Sequence, residues 1–230
     1  MSDGRIGLIG GLSWESTASY YRYFHEFFAS GVNEWSQPRL IIDSLDFGEV
    51  VALQQAGDWA TTGTLLADAA RRLEGAGASV LGIGANTMHI NFDAVRDAVT
   101  IPVIDVRDAV ANEAIAGGHE AIALLGTKYL LERSFYSDRL KKMGVRPVKP
   151  TSDQSDRLQE IVYSELTRGI VTETSRAYLR SVKVSCFERG ATVVGLCCTE
   201  FGLLMDEREP FAVIDSAKAH VRALLAAAAE

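Results

Sequence analysis

Short apolar runs alternate with longer amphipathic stretches along the chain, and this alternation limits the possible folds most strongly. The apolar runs predict buried strands at residues 6–9, 40–42, 80–83, 103–106, 122–125, 193–196 and 212–214. Helical periodicity lies between them, at residues 16–30, 59–75, 109–116, 155–168 and 174–189. Buried strands that alternate with helices are typical of α/β proteins with parallel sheets.

The two halves of the chain also resemble each other. Residues 74–82 (Glu-Gly-Ala-Gly-Ala-Ser-Val-Leu-Gly) are similar to residues 187–195 (Phe-Glu-Arg-Gly-Ala-Thr-Val-Val-Gly). Extending this match by three positions places Ala85 on Cys198. The similarity is either an internal duplication or the common look of strand–glycine–helix units.

Two further landmarks keep the same order in both halves. The pair Gly10-Gly11 corresponds to Gly126-Thr127, and residues 102–105 correspond to residues 213–215 with a proline shortly before. We therefore expect two similar Rossmann-like lobes with parallel sheets, related by a pseudo-twofold axis. Their expected bounds are residues 1–103 plus 210–230 for the first lobe and 104–209 for the second. Because ligands of open α/β sheets bind beyond the carboxyl ends of the strands, we expect the active site in the cleft between the lobes.

Composition and charge exclude several classes of protein. The 230 residues carry a net charge of -7 without any basic run, so we expect no nucleic-acid partner. No apolar run reaches the ~18 residues that cross a bilayer, and the first residues do not read as a signal peptide. The three cysteines, two of them adjacent, do not form a disulfide framework. We expect a cytoplasmic protein without a membrane partner.

The strongest chemical candidate is Cys198, which follows a predicted buried strand. A helix that starts there would stabilise a thiolate through its backbone N–H groups and its dipole. Two buried structural cysteines, Cys197 and Cys198, are the alternative interpretation. No cluster of His, Cys and carboxylate residues has the spacing of a metal site, so we expect no metal.

A second candidate group follows the corresponding strand of the first half. Asn86 and Thr87 can donate hydrogen bonds to a carboxylate, or they can cap a helix. His89 can be a general acid or base, although packing or capping is the commoner role of such a residue. Gly11 and Leu12 lie in a glycine turn that lacks dinucleotide and P-loop spacing and allows a small ligand to approach closely. Two cations, Arg168 and Lys128, are candidates to meet an anionic substrate, and for Lys128 a solvated surface charge is the more natural interpretation.

These motifs together resemble the aspartate/glutamate racemase family. The resemblance rests on residues 7–17 (Gly-Leu-Ile-Gly-Gly-Leu-Ser-Trp-Glu-Ser-Thr), the Asn-Thr-Met-His run at 86–89, Cys-Thr-Glu at 198–200 and residues 161–169. Residues 53–59 (Leu-Gln-Gln-Ala-Gly-Asp-Trp) are similar to a broad-specificity subgroup. The resemblance covers nearly the whole chain and keeps the family's order.

The resemblance implies a homodimeric racemase of small amino acids that uses neither pyridoxal phosphate nor another cofactor. Two opposed cysteines of the family move the Cα proton, and Cys198 corresponds to the second of them. The residues implied to bind the carboxylate or amine of the substrate are Asn86, Thr87, Thr127 and Thr199. Gln54 and Arg168 are implied near the far end of the substrate.

The first cysteine of the family is missing, because Ala85 holds its position. Three interpretations follow: a racemase that works poorly or in one direction, a racemase in which Thr87, His89 or a water serves the second face, or a reaction that needs one cysteine. Arylmalonate decarboxylases of the same superfamily resemble the last case. A catalytically silent protein that binds a small carboxylate is a further alternative. Leu130, where the family often has threonine, is a second departure and concerns recognition of the side-chain carboxylate.

Overall fold

The computed structural model describes residues 4–28, 35–205 and 210–230. It divides into two compact units, residues 1–106 plus 217–230 and residues 107–216. Among the described residues, eight strands form two parallel four-stranded sheets, one in each unit. This is the α/β architecture with two similar lobes that the sequence predicts. No helix in these ranges is both long and apolar enough to cross a membrane.

The first unit contains a four-stranded sheet in the order β2-β1-β3-β4, with helices on both faces. Its elements are β1 (Arg5–Gly10), α1 (Trp14–Phe27), β2 (Arg39–Ser44), α2 (Phe47–Ala56), α3 (Trp59–Gly75), β3 (Val80–Ile83), a 3-10 helix (Thr87–Asn91), α4 (Phe92–Arg96), β4 (Val103–Ile104) and, after the second unit, α10 (Ser216–Ala228). One face packs Leu81 and Ile83 against α2 and α3, and the other packs Leu8 and Val80 against α1 and α10. The predicted end of α1 at residue 30 lies outside the described residues.

The second unit repeats this arrangement with a sheet in the order β6-β5-β7-β8. Its elements are α5 (Val106–Ala116), β5 (Ala121–Gly126), α6 (Lys128–Glu132), α7 (Ser134–Lys142), β6 (Arg146–Val148), α8 (Ser152–Ser164), a 3-10 helix (Leu166–Arg168), α9 (Glu173–Glu188), β7 (Val193–Cys197), a 3-10 helix (Thr199–Leu204) and β8 (Val213–Asp215). Helix α8 begins where Thr151 and Gln154 form a capping box, which satisfies two backbone N–H groups that the helix leaves without an internal partner.

The register of the strands reproduces the similarity between the two halves. Leu8 of β1 pairs with Gly82 of β3, and Leu124 of β5 pairs with Gly195 of β7. The two glycines are the pair that the sequence match aligns, and β4 and β8 meet them in the same way. Ala85 and Cys198 therefore follow equivalent strands at equivalent positions.

The expected lobe boundaries need correction. Residues 210–216 were assigned to the first lobe, but β8 pairs with β7 and belongs to the sheet of the second lobe. Where the chain first passes from one unit to the other, the first unit extends to Val106 and includes β4, which pairs with β3. The predicted strand at 103–106 is only two residues long, and helix α5 begins at its expected end.

Candidate active site

Cys198 lies directly after β7, at the carboxyl edge of the second sheet. Its backbone is extended, and it precedes the 3-10 helix Thr199–Leu204. The tight turn brings the carboxylate of Glu200 back toward the thiol, and Cys198 Sγ donates a hydrogen bond to Glu200 Oε2 at 3.1 Å. The side chain of Cys198 is only 7% exposed and packs in the hydrophobic cluster of this unit. The sequence motif Cys-Thr-Glu thus folds into a buried thiol–carboxylate pair.

The environment of this pair keeps Cys198 protonated in the free protein. Burial raises the pKa of the Cys198 thiol well above its ordinary value, and the nearby charge of Glu200 and the hydrogen bond to it raise it further. The backbone N–H of Glu200, at the start of the 3-10 helix, lowers the pKa as the sequence predicts, but burial and the carboxylate outweigh it. The six-residue 3-10 helix contributes too little to outweigh desolvation beside a carboxylate.

The neighbouring cysteine points into a different environment. Cys197, the last residue of β7, donates a hydrogen bond from its thiol to the hydroxyl of Tyr136 at 3.3 Å. Complete burial raises the pKa of Cys197 to about 12. Because successive side chains of a strand point to opposite faces, only one of the two cysteines shares the surroundings of Glu200. Cys197 is a structural thiol.

Tyr163 of α8 is close enough to Cys198 and Glu200 to be affected by their charges. Burial raises the pKa of Tyr163, and the charges of Tyr129, Cys198 and Glu200 act in the same direction. Tyr163 also hydrogen-bonds Gln159, whose side-chain oxygen accepts the backbone N–H of Lys128 at 2.9 Å. The sequence analysis assigned no role to these tyrosines or to Glu200. The signal was present, since Tyr163 lies inside the motif at 161–169 and Glu200 inside the motif at 198–200.

Three further candidates lie in the same unit. Thr127 follows β5, whose last residue pairs with the last residue of β7, so Thr127 and Cys198 share one sheet edge. Its hydroxyl accepts a hydrogen bond from the backbone N–H of Leu130 at 3.4 Å and caps α6. Thr199 begins the 3-10 helix after Cys198, and its side chain lies outside the described part of the structure. Arg168 ends the 3-10 helix that contacts residues 199–204, and it is exposed.

Lys128, the second candidate cation, is a surface charge. Its amine forms ion pairs with Asp156 at 2.6 Å and with Glu132 at 3.6 Å. These pairs raise the pKa of Lys128. Within the described ranges, no group of three His, Cys, Asp or Glu side chains is arranged to hold a metal ion.

The corresponding turn of the first unit carries no ionisable side chain at its first position. Ala85 is half-buried and follows β3 after Gly84. Asn86 is buried, and Thr87 begins the 3-10 helix. The side chain of Asn86 does not cap this helix, so capping does not explain Asn86.

His89 holds the backbone of this turn. Its Nε2 accepts the backbone N–H of Val106 at 3.2 Å, so its Nδ1 carries the proton and donates to the carbonyl of Ala85 at 2.9 Å. The ring is 1% exposed and stacks on Phe92. Both nitrogens are therefore used by the backbone, and His89 fixes the turn instead of carrying a proton to a substrate.

The glycine turn after β1 is tied to the same region. Gly11 has φ +68°, and a Cβ there would lie 2.1 Å from the carbonyl oxygen of Leu45. Its backbone N–H donates to Thr17 Oγ1 at 2.9 Å, while Ser16 Oγ donates to the carbonyl of Gly84 at 2.8 Å. Much of the motif at 7–17 thus builds the scaffold, and the amide of Gly11 is already occupied.

Leu12 and Gln54 lie close to this turn. Leu12 packs in the cluster that includes Val50 of α2 and the half-buried Ala85. Gln54 is a buried polar residue one turn further along α2. The first unit therefore brings Leu12, Ala85 and α2 together around one core.

Comparison with known proteins decides the family. A sequence model of the Asp/Glu/Hydantoin racemase family matches residues 9–224. The chain belongs to this family.

Solved structures of similar proteins share the fold over almost the entire chain. A candidate Asp/Glu racemase from Yersinia pestis is 35% identical with a TM-score of 0.91, covering 99% of this chain and 100% of that one. An aspartate racemase homologue from Pyrococcus horikoshii OT3 is 33% identical with a TM-score of 0.86, covering 98% and 99%. The aspartate racemase of Picrophilus torridus, at 19% identity, shares the fold with a TM-score of 0.79, covering 98% and 94%.

Proposed function

We propose that this racemase-family protein moves the Cα proton of a small amino acid of the aspartate/glutamate type, with Cys198 as the acid/base and without a cofactor. The observation that carries the proposal is the hydrogen bond between Cys198 Sγ and Glu200 Oε2 at the carboxyl end of β7. Membership of the racemase family supports the reaction type. The aspartate racemase homologue at 33% identity supports the substrate class.

Glu200 prepares Cys198 for the first proton transfer. Since the thiol already donates to this carboxylate, passing its proton to Glu200 produces a thiolate and a carboxylic acid without moving either residue. The thiolate then takes the Cα proton and becomes a thiol again. The electron pair of the broken C–H bond is delocalised into the substrate carboxylate. Hydrogen-bond donors of Thr127 and Thr199, which lie at the same sheet edge as Cys198, stabilise the charge that develops on its oxygens.

Ala85 determines what happens on the other face of Cα. Its methyl group cannot donate or accept a proton, and both nitrogens of His89 are engaged by the backbone. The carbanion is therefore reprotonated mainly by the Cys198 thiol, on the face that lost the proton. Inversion needs a proton from a water molecule and is slower than exchange. We thus propose a racemase that transfers protons rapidly on one face of the substrate Cα and slowly on the other.

The test is chiral analysis after incubation with each enantiomer of aspartate and of glutamate. We expect slow formation of the opposite enantiomer from at least one of these acids. The Cys198→Ala variant should form none. Racemisation that persists at the wild-type rate in this variant would contradict the role of Cys198. No racemisation of either amino acid by the wild-type protein would contradict the substrate class.

A one-cysteine decarboxylase is the second candidate, and Ala85 is the observation that favours it. Loss of carbon dioxide from a malonate leaves a carbanion that needs a proton on one face only. Cys198, held as a thiol by its raised pKa, is suited to deliver that proton. Release of carbon dioxide from a panel of substituted malonates, without racemisation of aspartate or glutamate, would establish this function instead.

We also propose a homodimer, as the family resemblance implies. Sedimentation equilibrium of the full chain checks this proposal. A single species with twice the mass of the chain is the expected result, and a monomer at all concentrations would contradict it.

A further inference from the structure

The edge of the second sheet carries a concave surface that the racemase chemistry does not use. It has a volume of about 560 Å³ and lies between α7, β6 and the end of α9. Four cations line it: Lys141, Arg146, Lys149 and Arg189. This volume falls in the range of small-molecule sites, roughly 300–1,000 Å³. Four converging cations are unexpected in a chain of net charge -7.

The two arginines are held in place by backbone carbonyls. Arg146 Nη2 donates to the carbonyl of Gly190 at 2.8 Å, and Arg189 Nη1 donates to the carbonyl of Lys149 at 2.7 Å. Neither guanidinium forms an ion pair with a carboxylate in the described part of the chain. Arg189 also donates from Nε to the carbonyl of Ser185 at 3.1 Å and from Nη2 to Cys186 Sγ at 3.3 Å, so it is fixed in orientation, while Arg146 keeps more of its N–H groups for another partner.

The two lysines line the same surface. Lys149 is half-buried, and its amine donates to the carbonyl of Leu131 at 2.5 Å. Burial lowers the pKa of Lys149 and the charge of Lys141 lowers it further, while Asp138 acts in the opposite direction. Asp138 is also 3.6 Å from Lys141. Asp138 thus offsets the repulsion between the two lysines only in part, and an anion in this surface would relieve it further.

We propose that this surface, defined by Lys141, Arg146, Lys149 and Arg189, binds the phosphate groups of a phosphorylated small molecule. Guanidinium groups match phosphate oxygens with paired N–H donors, and the lysine amines add point charges. The site is distinct from the surroundings of Cys198. The order β6-β5-β7 separates β6 from β7 by two strand spacings, which is roughly 10 Å.

The test is a calorimetric titration of the full-length protein with pyrophosphate at low ionic strength, which measures the binding affinity. Lys149→Gln and Lys141→Gln should each weaken binding about tenfold, as expected for a charged hydrogen bond that is lost. Lys142→Gln is the matched control, because Lys142 is exposed on the same helix but does not line the surface. This control should change the affinity by less than about twofold.

Backbone amide NMR of the wild-type protein provides a second measurement that does not depend on variants. Pyrophosphate should shift the signals of Arg146, Val148, Lys149, Arg189 and Gly190, and adenosine diphosphate should shift the same signals. A tighter affinity for the nucleotide would assign the nucleoside to the site as well, and equal affinities would assign the phosphates alone.

Three results would overturn the proposal. The first is absence of binding in calorimetry and of amide shifts. The second is an equal loss of affinity in Lys142→Gln, which would indicate unspecific attraction to positive charge. The third is binding whose shifts lie elsewhere. In each case the cations would only protect the edge strand β6 from pairing with another chain.

Discussion

The turns that follow β3 and β7 share one backbone plan and differ in their chemistry. Each turn follows a central strand of a four-stranded sheet, either β3 or β7. These two strands pair with their neighbours in the same register. The turn after β7 holds a thiol against a carboxylate. The turn after β3 holds a methyl group, and its backbone is clamped by His89. The two units thus keep the same backbone geometry at these turns, while the thiol of Cys198 in one is replaced by the methyl group of Ala85 in the other.

The largest expected effect comes from removing the thiol. Cys198→Ala should lower the rate of Cα exchange at least about a hundredfold, because general acid–base groups contribute roughly 10²–10⁴-fold. Nuclear magnetic resonance in deuterium oxide measures this rate. Cys186→Ala is the control, since Cys186 is a buried thiol of the same hydrophobic cluster. It should keep the wild-type rate, and a similar loss in both variants would indicate a packing effect.

Adding a thiol to the other turn should make the two halves more alike. Ala85→Cys should raise the rate of inversion at least about tenfold, because a thiol can protonate the second face of Cα. Chiral analysis follows the inversion. Ala85→Ser has a similar size and a much poorer acid/base group, so it should raise the rate far less. An unchanged rate in Ala85→Cys would mean that Ala85 does not hold the position of the first cysteine.

Neutralising the carboxylate of Glu200 should increase the thiolate fraction of Cys198 and at the same time lower the rate of Cα exchange. Glu200→Gln removes a negative charge that raises the pKa of Cys198, so this pKa should fall. Thiolate absorbance would then appear at lower pH than in the wild-type protein. The exchange rate should nevertheless fall about ten- to a hundredfold, because the proton acceptor of the thiol is lost. A rate that rises together with the thiolate fraction would show that Glu200 only suppresses Cys198.

The stability of the two units should respond to opposite ends of the pH scale. Burial lowers the pKa of His220 in the first unit to about 3, so below pH ~6.5 the unfolded chain takes up a proton that the folded chain refuses. The free energy of unfolding should therefore fall on acidification, by about 1.4 kcal/mol per pH unit between these two values. Urea unfolding across this range measures the slope, and His220→Gln should remove this contribution.

The free energy of unfolding should also fall at high pH, and this alkaline limb of the stability curve arises in the second unit. Burial raises the pKa of Cys197 to about 12, so above pH ~9 the unfolded chain loses a proton that the folded chain retains. The contribution of this thiol to stability is complete below pH ~9 and is lost as the pH rises toward 12. Cys197→Ala should reduce the loss of stability at high pH, to which the buried thiol of Cys198 also contributes, and should leave the loss at low pH unchanged. An equal change at both ends of the pH scale would contradict the assignment of the two effects to different units.

The sequence predicted the strands and their order well, because buried apolar runs and glycine turns are local signals. Residues 146–148 were missed, since three residues of an edge strand with a proline carry almost no periodicity. The segment 210–216 was assigned to the wrong lobe, because a strand of three residues does not reveal which sheet it joins. Pairing of strands is a tertiary property that the local pattern leaves open.

The sequence located the strand ends that carry the candidate residues, but it did not reveal the contacts that these residues make. Cys198 and the turn at 85–87 could be found because they follow aligned strands. The protonated state of Cys198 could not, since it depends on burial and on a contact with Glu200 that only the 3-10 turn creates. The role of His89 required the positions of Ala85 and Val106, which come together only in the folded chain.

The most direct test of a single competent acid/base is proton exchange in deuterium oxide with each enantiomer of aspartate and glutamate. The Cα signal and the enantiomeric composition are followed in the same sample. We predict that one enantiomer loses its Cα signal much faster than the opposite enantiomer forms. In deuterium oxide Glu200 holds the deuteron that it received from Cys198, and this deuteron exchanges with the abstracted proton on the thiol before Cys198 reprotonates the same face of Cα. Exchange and inversion at equal rates from both enantiomers would contradict this account, because they would require a second acid/base as effective as Cys198.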